Sequence, residues 1–139
     1  PASGNFTIEF ECKTASAKKQ FLIRSGGEYQ GLFNLTCEHG RLDASVFAQR
    51  QPTDPPSYFR EMNFSSQTIL PVGQWSKVKV TYDRQMFRLS VNEGPPTEFP
   101  CDRRAWWAFS PFLFGGWGND PSLYFEGLLR AIRIKHYVD

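Results

Sequence analysis

The sequence lacks the features that mark several large classes of protein. It has only three cysteines and two histidines, with no CxxC pair, so a zinc site is not expected. No run approaches the ~18 consecutive apolar residues of a membrane-spanning helix. The formal net charge is only +2, which is too small to favour nucleic acid as a partner. With these classes disfavoured, a globular domain that binds its partners through its surface is the class to consider.

A second absence is the 3.6-residue periodicity of an amphipathic helix. Apolar and polar residues instead alternate over short stretches that are separated by Gly, Pro, Asn and Asp. The alternation predicts strands near residues 5–13, 20–25, 31–38, 41–49, 58–64, 67–70, 75–83, 86–92, 112–116 and 123–137, the last broken near Gly127. It therefore predicts an all-β fold, an antiparallel two-sheet β-sandwich, and we expect one domain over residues 1–139, excised from a larger protein.

The alternation also assigns faces, because successive side chains of a strand point to opposite sides. The predicted inner layer consists of Phe6, Ile8, Phe10 and Cys12; Leu42, Ala44, Val46 and Ala48; Val78, Val80 and Tyr82; Phe87, Leu89 and Val91; and Ile132 and Ile134. Cys37 shares a face with Phe33 and Leu35, so both it and Cys12 are expected in the core as free thiols. A bridge between them would require neighbouring strands, and with Cys101 the count is odd. We therefore expect no essential disulfide.

Two ordered patterns resemble a known family. Residues 73–83 begin with Gly-Gln-Trp and lead into a second strand that ends at Asn92-Glu93-Gly94. Residues 112–116 end in a Gly-Gly turn, and Phe125-Glu126-Gly127 opens the closing strand. With Phe6-Thr7-Ile8-Glu9-Phe10 upstream, the chain resembles the laminin G-like, concanavalin A-like lectin (jelly-roll) domains. The resemblance implies the jelly-roll sandwich.

Three irregular segments carry the candidate ligand-binding residues. Trp and Tyr rings stack on sugars, while Arg, Asn and Asp bond sugar hydroxyls, and such residues gather on loops of a rigid scaffold. The candidates are Tyr58 and Arg60; Arg103, Arg104, Trp106 and Trp107; and Trp117 and Asn119. The two adjacent Trp residues are alternatively a hydrophobic plug at one end of the sandwich. The two Arg residues are alternatively solvated loop charges, or groups that face an acidic sugar.

The resemblance implies a non-catalytic carbohydrate-binding module of a larger secreted protein. Its expected partners are a poly- or oligosaccharide and other domains of the parent chain, with neither nucleic acid nor membrane insertion. The expected location is extracellular or at the cell surface, or periplasmic if the source is bacterial. The alternative is a protein-interaction or structural laminin G-like domain of a cell-surface protein. The resemblance also implies a structural calcium ion, with Asn119 and Asp120 as candidate ligands.

Two further patterns are explained by ordinary residues on the outer faces of strands. Glu9 and Glu11 form the one pair of alternating acidic residues that a glycosidase of this superfamily would need, but their strand pattern points them outward, and no catalytic residue is predicted. Asn5, Asn34 and Asn63 each begin an N-glycosylation sequon. Because each lies in or beside a predicted strand, the hydroxyl residues of these sequons are equally well explained as ordinary outer-face residues.

Overall fold

The chain pairs into two antiparallel sheets, as the alternation predicts. The computed structural model describes residues 5–25, 33–49, 59–83, 85–100, 112–114 and 124–137, and within them no helix occurs. The strands are β1 (Asn5–Thr14), β2 (Gln20–Ser25), β3 (Phe33–Glu38), β4 (Arg41–Gln49), β5 (Phe59–Ile69), β6 (Trp75–Tyr82), β7 (Met86–Val91), β8 (Thr97–Pro100), β9 (Phe112–Phe114) and β10 (Gly127–Tyr137). Sheet A has the order β10-β1-β6-β7-β8, and sheet B has the order β5-β4-β3-β2-β9.

The strand bounds differ from the prediction at three places. The two strands predicted at 58–64 and 67–70 are one strand, β5, and the closing strand begins at Gly127 rather than near residue 123. Strand β8 lies inside a segment that the sequence predicts as loop. The prolines beside it make a strand difficult to predict from the sequence. Pro is tolerated in a sheet only where its missing N–H is not needed, as at an edge. Strand β8 is such an edge strand of sheet A.

The core lies between the sheets and is aromatic at one end. The ring of Phe6 packs edge-on against Phe33 of the opposite sheet, with centroids 5.9 Å apart. Tyr82 and Phe87 stack at 4.3 Å. We call this the Phe6 end of the sandwich. Most of the predicted inner layer is confirmed as buried, including Ile8, Val78 and Val80 with no exposed surface.

The prediction that Ile132 and Ile134 belong to the core is wrong. Each side chain is 43% exposed. Ile134 pairs with the buried Ile8, so it lies on the core-facing side of β10. Since β10 is the edge strand of sheet A among the described residues, side chains on that side lie at the margin of the core. Alternation reveals the side of a strand but not the position of the strand in its sheet.

The register shifts at three places among the described strand pairs, and the shifts in β2 and β10 change which side chains share a face. In β2 the register shifts between Phe21 and Ile23, and Leu22 and Ile23 are both fully buried. Phe21 and Arg24 consequently share the outer face of sheet B, although three positions separate them. In β10 the register shifts opposite Phe10 of β1, because β10 has one more residue there than β1. Ala131, which lies in this bulge, adopts a positive φ of 54°. A bulge inserts one residue and re-aims the side chains that follow.

The opposite end of the sandwich is closed by the Phe-Glu-Gly motif, and we call it the Gly127 end. Gly127 pairs with Thr14, and the N–H of Ala15 donates to the carbonyl of Glu126 at 2.8 Å. The φ of Gly127 is +148°, and a Cβ there would lie 2.1 Å from the carbonyl oxygen of Lys13. Glycine is therefore required by both conformation and space.

Replacing Gly127 by Ala should destabilise the domain severely, because the new methyl group meets backbone that cannot move without breaking the β1–β10 pairing. We expect the free energy of unfolding to fall by about 3 kcal/mol or more. The matched control is Gly73→Ala, where φ is +80° but no atom lies within 4 Å of the added Cβ. It should cost about 1 kcal/mol. Urea unfolding of both variants checks this, and equal losses would contradict it.

The two described cysteines are buried free thiols, as predicted. They lie on strands of different sheets, β1 and β3, so they are not neighbours within a sheet. Burial raises the pKa of Cys12 from 9.0 to about 12, and the nearby Cys37 adds to the rise. Burial likewise raises the pKa of Cys37 from 9.0 to about 11, partly offset by a backbone hydrogen bond from Gly40. Both groups are therefore protonated in the folded domain at neutral pH.

Stability should fall as pH rises above 9. The unfolded thiols lose protons from about that pH, whereas the folded thiols retain them up to pH 11–12. Each thiol that ionises only on unfolding lowers the unfolding free energy by about 1.4 kcal/mol per pH unit. Thermal unfolding between pH 8 and 10.5 measures the slope. The Cys12→Ala/Cys37→Ala variant should show a shallower slope, and an unchanged slope would contradict the assignment.

Candidate functional site

The outer face of sheet B carries two rows of polar side chains that cross four strands. In an antiparallel pair, directly opposed residues lie on the same face, so the register places these residues side by side. The first row is Arg24, Asn34, Ser45 and Asn63, and the second is Phe21, Thr36, Asp43 and Ser65. We call these eight residues the polar rows. They place amides, hydroxyls, one carboxylate, one guanidinium and one aromatic ring on the outer side of the sheet, where Ser45 is buried and the other residues with a described burial are partly or fully exposed.

Hydrogen bonds within the polar rows hold the central side chains in place. The hydroxyl of Ser65 donates to the Oδ1 atom of Asp43, and the hydroxyl of Thr36 donates to the Asp43 carbonyl oxygen at 3.3 Å. The Nε of Arg41 lies 3.7 Å from the same carboxylate. Asp43 is thus an anchored acceptor, and its side chain is 41% exposed.

The amide of Asn34 is only half satisfied. Its Nδ2 donates to the hydroxyl of Ser45 at 3.4 Å, while its Oδ1 is buried and has no hydrogen-bond partner among the described residues. Turning the amide over would exchange the two atoms without giving the second one a partner. A buried polar atom of this kind is stabilised when a ligand or water supplies the missing hydrogen bond. Asn63, at the end of the same row, is exposed.

An aromatic ring and a cation lie at the β2 end of the polar rows. The guanidinium carbon of Arg24 lies 5.3 Å from the ring centroid of Phe21, which is within the range of a cation–π interaction. Both side chains reach this face only because of the bulge at Leu22. A groove of about 290 Å³ runs over the polar rows and is also lined by Lys19 and Glu38. Its volume is at the lower end of the range for small-ligand sites.

The outer face of sheet A holds a second groove, of about 310 Å³. Its cations are already engaged by carboxylates: Lys77 with Glu93 at 3.2 Å, Lys79 with Glu9 at 3.5 Å and Arg88 with Asp83 at 2.8 Å. The last contact, with backbone N–H groups of Gln85 and Met86, holds the pKa of Asp83 below its ordinary value. These groups satisfy one another, so the polar rows are the better candidate for ligand binding.

The family to which the chain belongs follows from its sequence. A family model described as the concanavalin A-like lectin/glucanases superfamily, of the laminin G type, matches residues 1–138. The chain belongs to this superfamily. The predicted resemblance is thereby confirmed, and so is the all-β sandwich that it implies. No curated protein matches the chain in sequence.

Solved structures of several other proteins share the fold at low sequence identity. The LG1–3 region of the laminin α2 chain matches with a TM-score of 0.70 and 13% identity, over 99% of this chain and 29% of that one. The receptor-binding domain of the botulinum neurotoxin C/D mosaic serotype matches with 0.63 and 16%, over 95% and 32%. A double mutant of congerin II matches with 0.55 and 13%, over 94% and 90%. The chain thus spans under a third of the first two proteins.

The ligand-binding residues predicted from the laminin G-like sequence fall largely outside the described residues. Tyr58, Arg103, Arg104, Trp106, Trp107, Trp117, Asn119 and Asp120 lie in segments that the structure does not describe, and only the backbone of Arg60, in β5, is described. The described strands nevertheless show where these segments are attached. Segments 50–58 and 101–111 both start and end at strand termini of the Phe6 end. Segment 115–123 joins the end of β9 to the residues that precede Gly127.

Sequence reasoning missed the polar rows although their signal was present. Three strands each contain a polar–apolar–polar triplet: Asn34-Leu35-Thr36, Asp43-Ala44-Ser45 and Asn63-Phe64-Ser65. Two of these triplets are the sequons noted above. Their alternation was visible, but their alignment across the sheet depends on register, which a single sequence does not reveal.

The described residues contain no arrangement of side chains typical of a metal site and no membrane-spanning helix. Within the described residues, no group of three or more His, Cys, Asp or Glu side chains is arranged to hold a metal ion. The candidate calcium ligands Asn119 and Asp120 lie outside those residues, so the fit of calcium rests on no described oxygen cluster. No helix in the described part of the chain is long and apolar enough to span a membrane.

Proposed function

We infer that this domain is a non-catalytic carbohydrate-binding module and that the polar rows of sheet B form part of its glycan site. The observation that carries this inference is the alignment of Asn34, Asp43, Ser45 and Asn63 on one outward face. Sugars present many hydroxyl groups that both donate and accept, and amides and an anchored carboxylate pair with them at fixed spacing. The half-satisfied amide of Asn34 adds a place where a ligand hydroxyl would be favoured.

The family supports the same function. Its description joins lectins and glucanases, both of which engage carbohydrate. A fold hosts many functions, so the family raises the expectation and the polar rows supply the site. By the same inference the module belongs to a larger secreted or cell-surface protein, and its calcium ion, where present, would use Asn119 and Asp120.

The loop residues extend the proposed site. Segments 50–58 and 101–111 are attached at the Phe6 end, where β4 and β5 of the polar rows also terminate. Tyr58, Arg60, Trp106, Trp107, Arg103 and Arg104 would add stacking surfaces and further hydrogen bonds there. Trp117 and Asn119 belong to the segment attached at the other end and would form a separate contact.

Catalysis is a weaker proposal. Glu9 and Glu11 do point outward, on the outer face of sheet A. Each is already held by a cation, Glu9 by Lys79 and Glu11 by Arg130 at 3.0 Å. A glycosidase needs two carboxylates that flank a scissile bond, one as an acid and one as a base or nucleophile. Two surface ion pairs do not form such an arrangement.

A protein-interaction role is the alternative that one observation favours. Leu128, Ile132 and Ile134 on strand β10 are 57%, 43% and 43% exposed, which is unusual for large apolar side chains on one edge. A partner protein would cover them, whereas a glycan bound to sheet B would not. Their substitution by Ser therefore separates the two functions.

The glycan site is tested by an oligosaccharide array, with and without calcium, followed by calorimetry with a glycan that the native domain retains. Asp43→Asn should weaken binding about tenfold or more, since a hydrogen bond to a charged group contributes roughly 1.5–3 kcal/mol. Asn63→Ala should weaken it about two- to tenfold. Thr81→Ala, an outward polar residue of sheet A, is the matched control and should leave the affinity unchanged.

Two outcomes would contradict the proposed site, and a third would contradict only its extension by the loop residues. Retention of no glycan by the folded native domain would exclude carbohydrate binding. Loss of affinity in Trp106→Ala or Trp107→Ala, with Asp43→Asn and Asn63→Ala unaffected, would move the site from sheet B to the loops. A collapse of thermal stability in the Trp variants would instead identify the two rings as a hydrophobic plug.

A further inference from the structure

We propose that strand β10 accepts an added β-strand from a partner protein, and that the added strand alternates apolar and acidic residues. It would extend sheet A beyond its present edge. The surface that would receive it consists of Ile132, Arg133, Ile134 and Lys135, and we call these four residues the β10 edge. The proposal rests on the backbone, the apolar side and the charged side of this edge. It does not depend on the glycan site on sheet B.

The backbone of β10 has only one partner strand in the described part of the chain. It pairs with β1 on one side, and sheet A ends at β10 on the other. Alternate residues of an edge strand direct their N–H and C=O groups away from the sheet, where a further strand can pair with them. After the bulge, the register with β1 is uninterrupted from Arg133 to Tyr137. This stretch has the length of an ordinary strand.

Ile132 and Ile134 form an apolar side of the β10 edge that sheet B does not cover. Ile134 is opposite Ile8, which has no exposed surface, yet Ile134 itself is 43% exposed. The position of sheet B explains the difference. Its margin is β9, and Phe114 of β9 packs against Phe10 of β1 with ring centroids 5.9 Å apart. Since β9 faces β1, no described strand of sheet B faces β10. A strand added beside β10 would bring apolar side chains next to the two isoleucines.

The other side of the β10 edge is cationic. Arg133 is opposite Glu9 in the β1–β10 register and Lys135 is opposite Thr7, so both lie on the outer face of sheet A. Glu9 is held by Lys79 at 3.5 Å, and no carboxylate of a described residue lies at ion-pair distance from Arg133 or Lys135. Opposite charges across a pair of strands stabilise the pairing, and like charges oppose it. The two cations therefore favour a strand with acidic residues on this face.

The same charges disfavour a second copy of this chain as the occupant. A symmetric pairing of two copies centred on Ile134 would set Arg133 of each copy opposite Lys135 of the other. Basic residues and bulges on an edge strand are common devices against self-association. An acidic residue opposite each cation converts that repulsion into a preference for one kind of strand. The edge thus fits a partner strand that is apolar beside the isoleucines and acidic beside the cations.

Two synthetic peptides test the proposal, one with a repeated Glu-Val sequence and one with a repeated Lys-Val sequence. Calorimetry should show that the native domain binds the Glu-Val peptide about tenfold more tightly than the Lys-Val peptide. N-methylation of alternate amides in the Glu-Val peptide should weaken its binding about tenfold, because it removes backbone hydrogen bonds and leaves the charge unchanged.

Charge reversal provides the sharpest variant. Arg133→Glu/Lys135→Glu should reverse the preference, so that the Lys-Val peptide binds more tightly than the Glu-Val peptide. The matched control, Lys77→Glu/Arg88→Glu, makes the same change of net charge on β6 and β7, and it should keep the native preference. Retention of the native preference by the Arg133/Lys135 variant, or its reversal in the control, would overturn the role of the β10 edge.

Hydrogen exchange shows where the peptide lies. The amides of β10 should gain protection on binding, whereas those of sheet B should not, and Ile132→Ser/Ile134→Ser should weaken binding about tenfold. Failure of the native domain to bind either peptide, equal affinity for both, or protection confined to sheet B would overturn the proposal. A native dimer in analytical ultracentrifugation that is lost in the Ile132/Ile134 variant would assign the edge to a second copy instead. Asn63→Ala should leave peptide binding unchanged, so failure of the glycan site and failure of this edge are separate results.

Discussion

Register between strands is the constraint on which the rest of the structure depends. The apolar side chains of β1, β6 and β7 must all enter the space between the sheets, and fully buried residues such as Ile8, Val80 and Phe87 do so. A slip of one residue would turn every one of them to solvent, so burial specifies the register strongly. The same register positions the side chains on the outer faces. The polar rows are therefore aligned across the sheet by the core beneath them.

The bulges in β2 and β10 show where this positioning is modified. In β2 the consecutive burial of Leu22 and Ile23 places Phe21 and Arg24 together on sheet B. In β10 the positive φ of Ala131 places Arg130 and Arg133 together on sheet A. The cost of the first is offset by an additional buried apolar side chain, whereas Ile132, which follows the second, remains 43% exposed. The β10 bulge therefore has no comparable compensation in the core, which is one reason to look for its value at the surface.

The residues explain which features could be predicted from the sequence. Strict alternation in Phe6–Cys12 and Val78–Tyr82 predicted both strand and face, because a half-buried strand imposes a period of two. The prediction that Ile132 and Ile134 are buried was wrong, because alternation does not show that a strand lies at the edge of its sheet. Strand β8 was not predicted because prolines are unfavourable in most strands. The polar rows were visible only as isolated triplets, two of them read as sequons, because their meaning depends on pairs such as Asn34 with Ser45 that lie far apart in the chain.

The two outer faces are suited to different chemistry by the range over which their groups act. Hydrogen bonds from Asn34, Asp43 and Asn63 require contact and direction, and a neutral sugar meets them with little dependence on salt. The outer face of sheet A presents charges instead, and its cations Lys77, Lys79 and Arg88 are paired with carboxylates. Exposed ion pairs of this kind are screened by salt and contribute little free energy each. The groups of sheet B act only on a ligand in direct contact, so they discriminate between ligands by the position and direction of the ligand's hydrogen-bonding groups.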